Sequence, residues 1–420
     1  MRGTLALALI ALAAAAGWSG GAASGRAVTA VQPQSPARLL GISWAHRGSL
    51  ARFDPLTLRV LPGRRVRVEG APTSWSYSPD RKKLAIGLEG SRVQIVDVRR
   101  MRRGNTAVVR RILGLNVEAL AWLRPRRILG VDAAGFFVVD PVARRVLRRP
   151  IVLWRPVRLT VTRDALVVLL ANPTSLEPVR LAAISPDGRV RSVTLSRILG
   201  GTKEPEDDNH VPERWEPALA VDAEGRHAFA IGADSSVAEV DLRSMAVEYH
   251  SLSERVSLAK RFRNWLEPEA AAKGPLGGLR LHAELADGFL AVAGENGSGP
   301  AGLRVIDTTD WTTRTIEPRA TGFVLAGTSL VTFQGALYDP NDPKGGIGLV
   351  GYSVDGRQLF HLFGDRPIFS VPMVGRRVWV HAGDGSFKGV DTANGTIVAE
   401  LRPRTPEYFP QLFLGAAQRW

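Results

Sequence analysis

SWSYSPDRKKLAIGLEGSRVQIVDVR, residues 74–99, is the stretch whose reading decides the fold. It opens on an alternating run (74–78), turns through Pro79-Asp80, continues as an apolar run (84–88), turns again at Gly90-Ser91 and closes a second apolar run on Asp97. Alternating or short apolar runs bounded by turn residues are strand signals. With a fourth run at 107–112, the stretch makes one four-stranded antiparallel unit. Such a unit is the blade of a β-propeller, and the rest of the chain reads as degenerate copies of it.

Residues 218–253 (ALAVDAEGRHAFAIGADSSVAEVDLRSMAVEYHSLS) repeat the pattern turn for turn. Further units start near residues 117, 157, 279, 320 and 367. Counted with the first segment, they predict an all-β fold: one β-propeller over residues 38–416 with eight blades, or seven if one of the weaker units is not a full blade. The first segment offers only three strands, ARLLGISWA (37–45), SLARFDP (49–55) and LRVLP (58–62), while YFPQLFLG (408–415) is an orphan strand after the last blade. A C-terminal strand completing the N-terminal blade would close the ring and remove two sheet edges.

Met1-Arg2, an apolar run over 5–16 and small residues over 17–25 read as a signal peptide, residues 1–24, with cleavage near Ser24 or alternatively near Ala16. The run is too short to span a membrane, so no transmembrane helix is expected in the mature chain. Residues 25–37, with Pro, Gln and Ser, read as a flexible linker. Zero cysteines among 420 residues exclude a disulfide framework, a thiol nucleophile and a thiolate metal site. These features predict an exported protein, periplasmic, envelope-associated or extracellular.

The net charge of +15 is unevenly placed: residues 26–165 carry +19 and residues 166–420 carry −5. A basic sector of that size implies an anionic partner, either an envelope polymer or an acidic protein, while export argues against nucleic acid. In an antiparallel blade, the first-to-second and third-to-fourth turns share one face of the ring. Second-to-third loops and blade connectors share the other. The densest basic runs, Arg81, Lys82 and Lys83; Arg99, Arg100, Arg102 and Arg103; Arg124, Arg126 and Arg127, fall on the first face. The long loops fall on the second, which makes it the candidate ligand face.

On that second face, EPEDDNH (204–210) gathers Glu204, Glu206, Asp207, Asp208 and His210, oxygen-rich ligands suited to Ca²⁺, with Asp207 and Asp208 the weak metal candidates. It lacks the spacing and Gly of an EF-hand loop. Trp215 and Trp265 lie in long connectors and are candidate ligand platforms, and residues 256–273 have helical spacing. His282 sits in an innermost strand with access to the central channel. GIGLVG (346–351) matches a dinucleotide-binding pattern letter for letter, but it leads into a strand and not a helix, so the phosphate-binding reading fails. No hydrolase or metalloprotease motif is present, and no catalytic residue is assigned.

Numbered in chain order, blades two (74–112) and five (218–253) look like WD40-like and TolB-type repeats, in which S-P-D-G or a variant links the first two strands and an apolar run ending in Asp follows. In blade four, SPDG (185–188) sits between the third and fourth strands instead. Blade eight, VWVHAGDGSFKGVDTANGTIVAEL (378–401), is similar to the quinoprotein-type repeat, where V-D-x-x-x-G precedes the last strand. The vicinal Cys pair of many such dehydrogenases is impossible here, and Ala399-Glu400 stand where that repeat often has Trp. The resemblance implies the fold and no particular activity. The expectation is therefore a non-catalytic binding or scaffold propeller with no cofactor predicted beyond Ca²⁺ at the acidic loop; the alternative is a secreted or periplasmic propeller enzyme of lactonase or hydrolase type, its metal-dependent form having a metal at the channel mouth.

Overall fold

The structure is a computed structural model that describes residues 39–413, apart from 44–47, 55–56, 110–115, 133, 144, 149–153, 204–211, 234–235, 255–279, 297–298, 335–345, 365, 367, 369–372, 375, 382–385 and 403–410. The described residues form strands and turns in eight antiparallel blades. From the axis outward, blade two is Pro72–Tyr77, Lys83–Leu88, Arg92–Asp97 and Arg102–Val108, and blade three is Val117–Arg124, Arg127–Asp132, Gly135–Asp140 and Arg145–Arg148. Blade four is Arg155–Val161, Leu166–Ala171, Leu176–Ile184 and Val190–Lys203; blade five is Ala218–Val221, His227–Ile231, Ser236–Asp241 and Val247–Ser251. Blade six is Arg280–Ala286, Phe289–Asn296, Leu303–Asp307 and Thr312–Glu317, with Ser253–Glu254 laid parallel on its outer strand. Blade seven is Gly322–Ala326, Ser329–Phe333, Leu349–Ser353 and Gln358–Leu362; blade eight is Met373–Val374, Arg377–His381, Phe387–Asp391 and Ile397–Leu401.

Blade one takes Leu39–Ser43, Ser49–Phe53 and Val66–Arg67 from the N-terminal part, and the C-terminal strand Gln411–Phe413 pairs with the first of these, Leu40 opposite Phe413. The expected strand at 58–62 is replaced by Val66–Arg67. Asp54 accepts the Thr57 amide at 2.8 Å and bends the chain, so Val60 makes only an isolated bridge to Phe53.

The strands read as continuous apolar runs because both faces of each sheet are buried. In Leu166–Ala171, Leu166, Val168 and Leu170 pack toward blade three, whereas Val167, Leu169 and Ala171 pack toward blade five. The same parity split runs around the ring. The seam between blades eight and one, with Trp379 and Phe387 against Ala51, Phe53 and Leu58, brings the last blade onto the first. Trp122 is buried in the seam between blades two and three, and Trp75 packs on that between one and two.

Two local devices hold the blades. Four glycines sit directly opposite an aromatic ring across a strand pair: Gly130 under Phe137, Gly322 under Phe333, Gly351 under Phe360 and Gly389 under Trp379. The absent Cβ makes room for the ring to lie across the neighbouring strand. The second device explains the Asp that ends so many apolar runs. Its carboxylate accepts amide protons of the following turn, as Asp97 does from Arg100 (2.9 Å), Asp140 from Val142 (2.8 Å), Asp241 from Ser244 (2.6 Å), Asp307 from Thr309 (2.9 Å) and Asp391 from Ala393 (2.9 Å). These are Asx turns. Blades four and seven use Ser-x-Asp instead, with Ser185 donating to Asp187 and Ser353 to Asp355, as Ser78 does to Asp80 at 2.7 Å in blade two.

Two expectations follow from these devices. A Cβ at Gly130 would stand 2.0 Å from the Phe137 ring. Gly130→Ala should therefore lower stability by about 1–3 kcal/mol in a denaturant melt. The turn carboxylates of Asp80, Asp187 and Asp355 are held below the usual range by the Ser hydroxyl, and that of Asp241 by the Ser244 amide. With folded values below the unfolded value of about 3.9, their contribution is present above pH about 4 and lost as pH falls through the folded values. Asp241→Ala should flatten that acid limb of a melting-temperature profile; an unchanged limb would remove the turns from the account.

Candidate functional site

Each connector returns the chain from the outermost strand of one blade to the innermost strand of the next. The first residues of the innermost strands therefore lie on the long-loop face, beside the ends of the second strands. In blades three to six these positions are charged: Glu118, Asp132, Arg155, Arg158, Glu216, Arg280 and Glu295. Most side chains of the second and third strands are committed to apolar seams, and charge collects where the strand ends meet the channel mouth.

Arg158 is the hub. Its Nη1 donates to Glu216 Oε2 at 3.0 Å, and its Nε donates to the backbone oxygen of Leu281 at 2.8 Å, so one guanidinium on blade four reaches residues of blades five and six. Both side chains of the Arg158–Glu216 pair are mostly buried, at 20% and 15% exposure, which makes the pair stronger and costlier to break than one on the surface. Blades five and six are also stapled here, the Leu281 amide donating to Glu216 O at 2.9 Å. Arg280 pairs with Glu295 at 3.5 Å.

Glu118 has neither hydrogen bond nor ion pair among the described residues. Burial pushes its carboxyl up to about 6, with Arg155 opposing the shift and Asp132 and Glu216 adding to it. Burial likewise raises Glu295, opposed by Arg280. Asp132 is fully buried and accepts from Ser91 Oγ at 2.9 Å, tying blade two to blade three.

The fourth strand of blade four continues as Val190–Lys203, past its expected end, and pairs with Glu213–Trp215. The expected connector is thus a β-hairpin lying over the second-to-third loop of blade four, where Thr202 Oγ1 donates to Pro173 O at 2.8 Å. Gly201 makes the crossing possible. Its φ is +128°, and a Cβ there would stand 2.1 Å from Ser175 O. Trp215 ends the hairpin half-buried and lines a shallow cleft with Arg155, Asn172, Arg214 and Glu216. This cleft and the Arg158 hub share Glu216, so Trp215 stands beside the channel-mouth charges.

His282 is exposed on the innermost strand of blade six. Its ring tilts against Phe323 of blade seven at 5.1 Å, and its Nε2 lies 3.2 Å from Glu284 Oε1. Glu204, Glu206, Asp207, Asp208, His210 and Trp265 lie outside the described residues, as does the helical spacing of 256–273. On the opposite face, Arg99, Arg100, Arg102, Arg103, Arg124 and Arg126 are exposed, as are Lys82 and Lys83, whereas Arg81 and Arg127 are half-buried. Lys82 pairs with Asp80 at 3.7 Å, Arg126 with Asp140 at 3.0 Å, and Arg103 with Glu69. Among the described residues, Lys83, Arg99, Arg100, Arg102 and Arg124 have no carboxylate partner.

Sequence reasoning missed Glu118, Arg155, Arg158, Glu216 and Arg280. A signal was present: each is a charge at or just before the start of a first strand (VEALAW, RPVRL, WEPALA, LRLHAEL), where an apolar run is otherwise required.

No known protein family matches this sequence, and no curated protein matches it significantly. Solved structures do match. Dihydro-heme d1 dehydrogenase NirN, solved in complex with DHE, is 13% identical, covers 91% of this chain and 75% of its own, and has a TM-score of 0.56. Apo AztD from Citrobacter koseri is 12% identical, with 90% and 96% coverage and a TM-score of 0.53. The computationally designed Ika8 protein is 10% identical, with 83% and 97% coverage and a TM-score of 0.50. At these identities the likeness establishes the propeller fold alone.

The raised Glu118 carboxyl has a direct consequence. Its folded value near 6 exceeds the unfolded value of about 4.3, so the folded state binds the proton more tightly and stability falls as pH rises from about 4 to about 6. Glu118→Gln removes that loss. The variant should melt higher than the wild type at pH 8, and by a larger margin than at pH 4.

Proposed function

We propose that this chain is an exported binding propeller that is held at the cell envelope by an anionic polymer lying along its basic face. The long-loop face, with its charged channel mouth, then remains open for recognition. One observation carries the reading: on blades two and three, the turns of one face expose five cationic side chains with no carboxylate partner among the described residues, while nearby aspartates are engaged in their own turns. Cations arranged along two adjacent blades suit an extended polyanion, which can follow them by screened Coulomb attraction. The signal-like start supports export, and among the described residues no helix is long and apolar enough to cross a membrane.

The test is retention of purified residues 25–420 on an isolated envelope fraction. Wild type should bind at about 50 mM NaCl and release steeply by about 500 mM, where the Debye length falls below about 5 Å. The variant combining Arg99→Ala, Arg100→Ala, Arg102→Ala and Arg124→Ala changes exposed side chains, so it should melt like the wild type and elute at much lower salt. Equal retention of the two proteins would overturn the reading, and binding abolished by protease treatment of the envelope would make the partner an acidic protein.

A further inference from the structure

Away from the channel mouth, the outer strands of blade five carry a donor set that the binding reading does not use. Glu239 and Glu248 stand directly opposite one another across the third and fourth strands. His250 is two residues on from Glu248 and so shares its side of the sheet. One oxygen of each carboxylate and one ring nitrogen of His250 all lie within 4.8 Å of one another. Like charges directly opposed on a strand pair are destabilising. That arrangement favours a cation between them.

The imidazole is held in place. Its ring stacks on the Trp311 indole of blade six, with centroids 3.7 Å apart and planes at 10°, and its Nε2 lies 3.0 Å from Glu239 Oε2. The His250 side chain is only 11% exposed, so packing restricts its choice of rotamers. Glu248, by contrast, is exposed and free to adjust toward a bound ion.

We propose that Glu239, Glu248 and His250 form a site for a divalent late first-row cation, with zinc as the reference ion, at the outer seam of blades five and six. One imidazole nitrogen and two carboxylate oxygens are donors of the kinds that hold zinc, with Zn–N near 2.0–2.1 Å and Zn–O near 2.0–2.2 Å, in a set richer in carboxylate than the commonest zinc sites, and the exposed side leaves the fourth position to water. Nitrogen in the set discriminates against Ca²⁺ and Mg²⁺, which take oxygen shells. A bound cation neutralises the opposed carboxylates, and through the His250–Trp311 stack it ties the outer strands of blade five to blade six. The site is independent of the basic face.

The experiment is calorimetric titration of untagged, chelator-stripped full-length chain with Zn²⁺, and separately with Ca²⁺, alongside Glu248→Gln and His250→Ala. The wild type should take up one equivalent of Zn²⁺, at least about 100-fold tighter than Ca²⁺, and should melt higher with the ion. Glu248→Gln changes an exposed side chain, so the fold should be retained, and it should weaken that equivalent by about tenfold or more. His250→Ala should abolish it together with the thermal shift. No Zn²⁺ uptake at about 1 mM, equal affinity for Ca²⁺, or an unchanged isotherm in a folded Glu248→Gln protein would each overturn the assignment.

Discussion

Among the described residues, every sheet packs apolar side chains from both of its faces, and that constraint shapes the rest. A blade with two apolar faces cannot end a stack, because its second face would be left in water at about 25 cal/mol for each Å² of apolar surface. Eight such sheets meet the requirement only by closing on themselves. The described core clusters do this: seven seams join consecutive blades, and an eighth brings Trp379 and Phe387 of blade eight onto Phe53 and Leu58 of blade one. The pairing of Gln411–Phe413 with Leu39–Ser43 adds backbone hydrogen bonds at the same junction.

Once strand faces are committed to seams, polar chemistry is left to strand ends and turns, and these divide between two faces of the ring. On one face, turn geometry consumes the acids. Asp97 and Asp140 are bound to turn amides, and Asp140 also takes Arg126, so the arginines of blades two and three face solvent largely uncompensated. On the other face, the starts of the innermost strands converge on the axis from four blades. There Arg158 binds Glu216 and a backbone oxygen of blade six, while Glu118 is left half-buried, its carboxylate without a hydrogen bond or ion pair among the described residues. The two faces thus differ in kind: one is an open cationic array, the other a compact set of alternating charges.

The seam of blades five and six carries charged groups beside its apolar ones. The outer strands of blade five set Glu239 against Glu248, and Trp311 of blade six covers His250. Outer strands lie farther from the axis, where neighbouring sheets diverge and water can enter between them, so charged groups are tolerated there.

The blade is written in local pattern. Strands buried on both faces appear as apolar runs, Asx and Ser-x-Asp turns appear as recurrent Asp and Ser residues, and both signals are local, so the repeat was legible in the chain, and its number down to eight or seven. The +19 segment and its basic turns were legible for the same reason. Tertiary structure alone decided which charges meet. Arg158 and Leu281 are 123 residues apart, and His250 finds Trp311 only because blades five and six are neighbours. Nothing in local pattern marks such pairs, because ring closure and sheet register, and not sequence separation, set the distances between them.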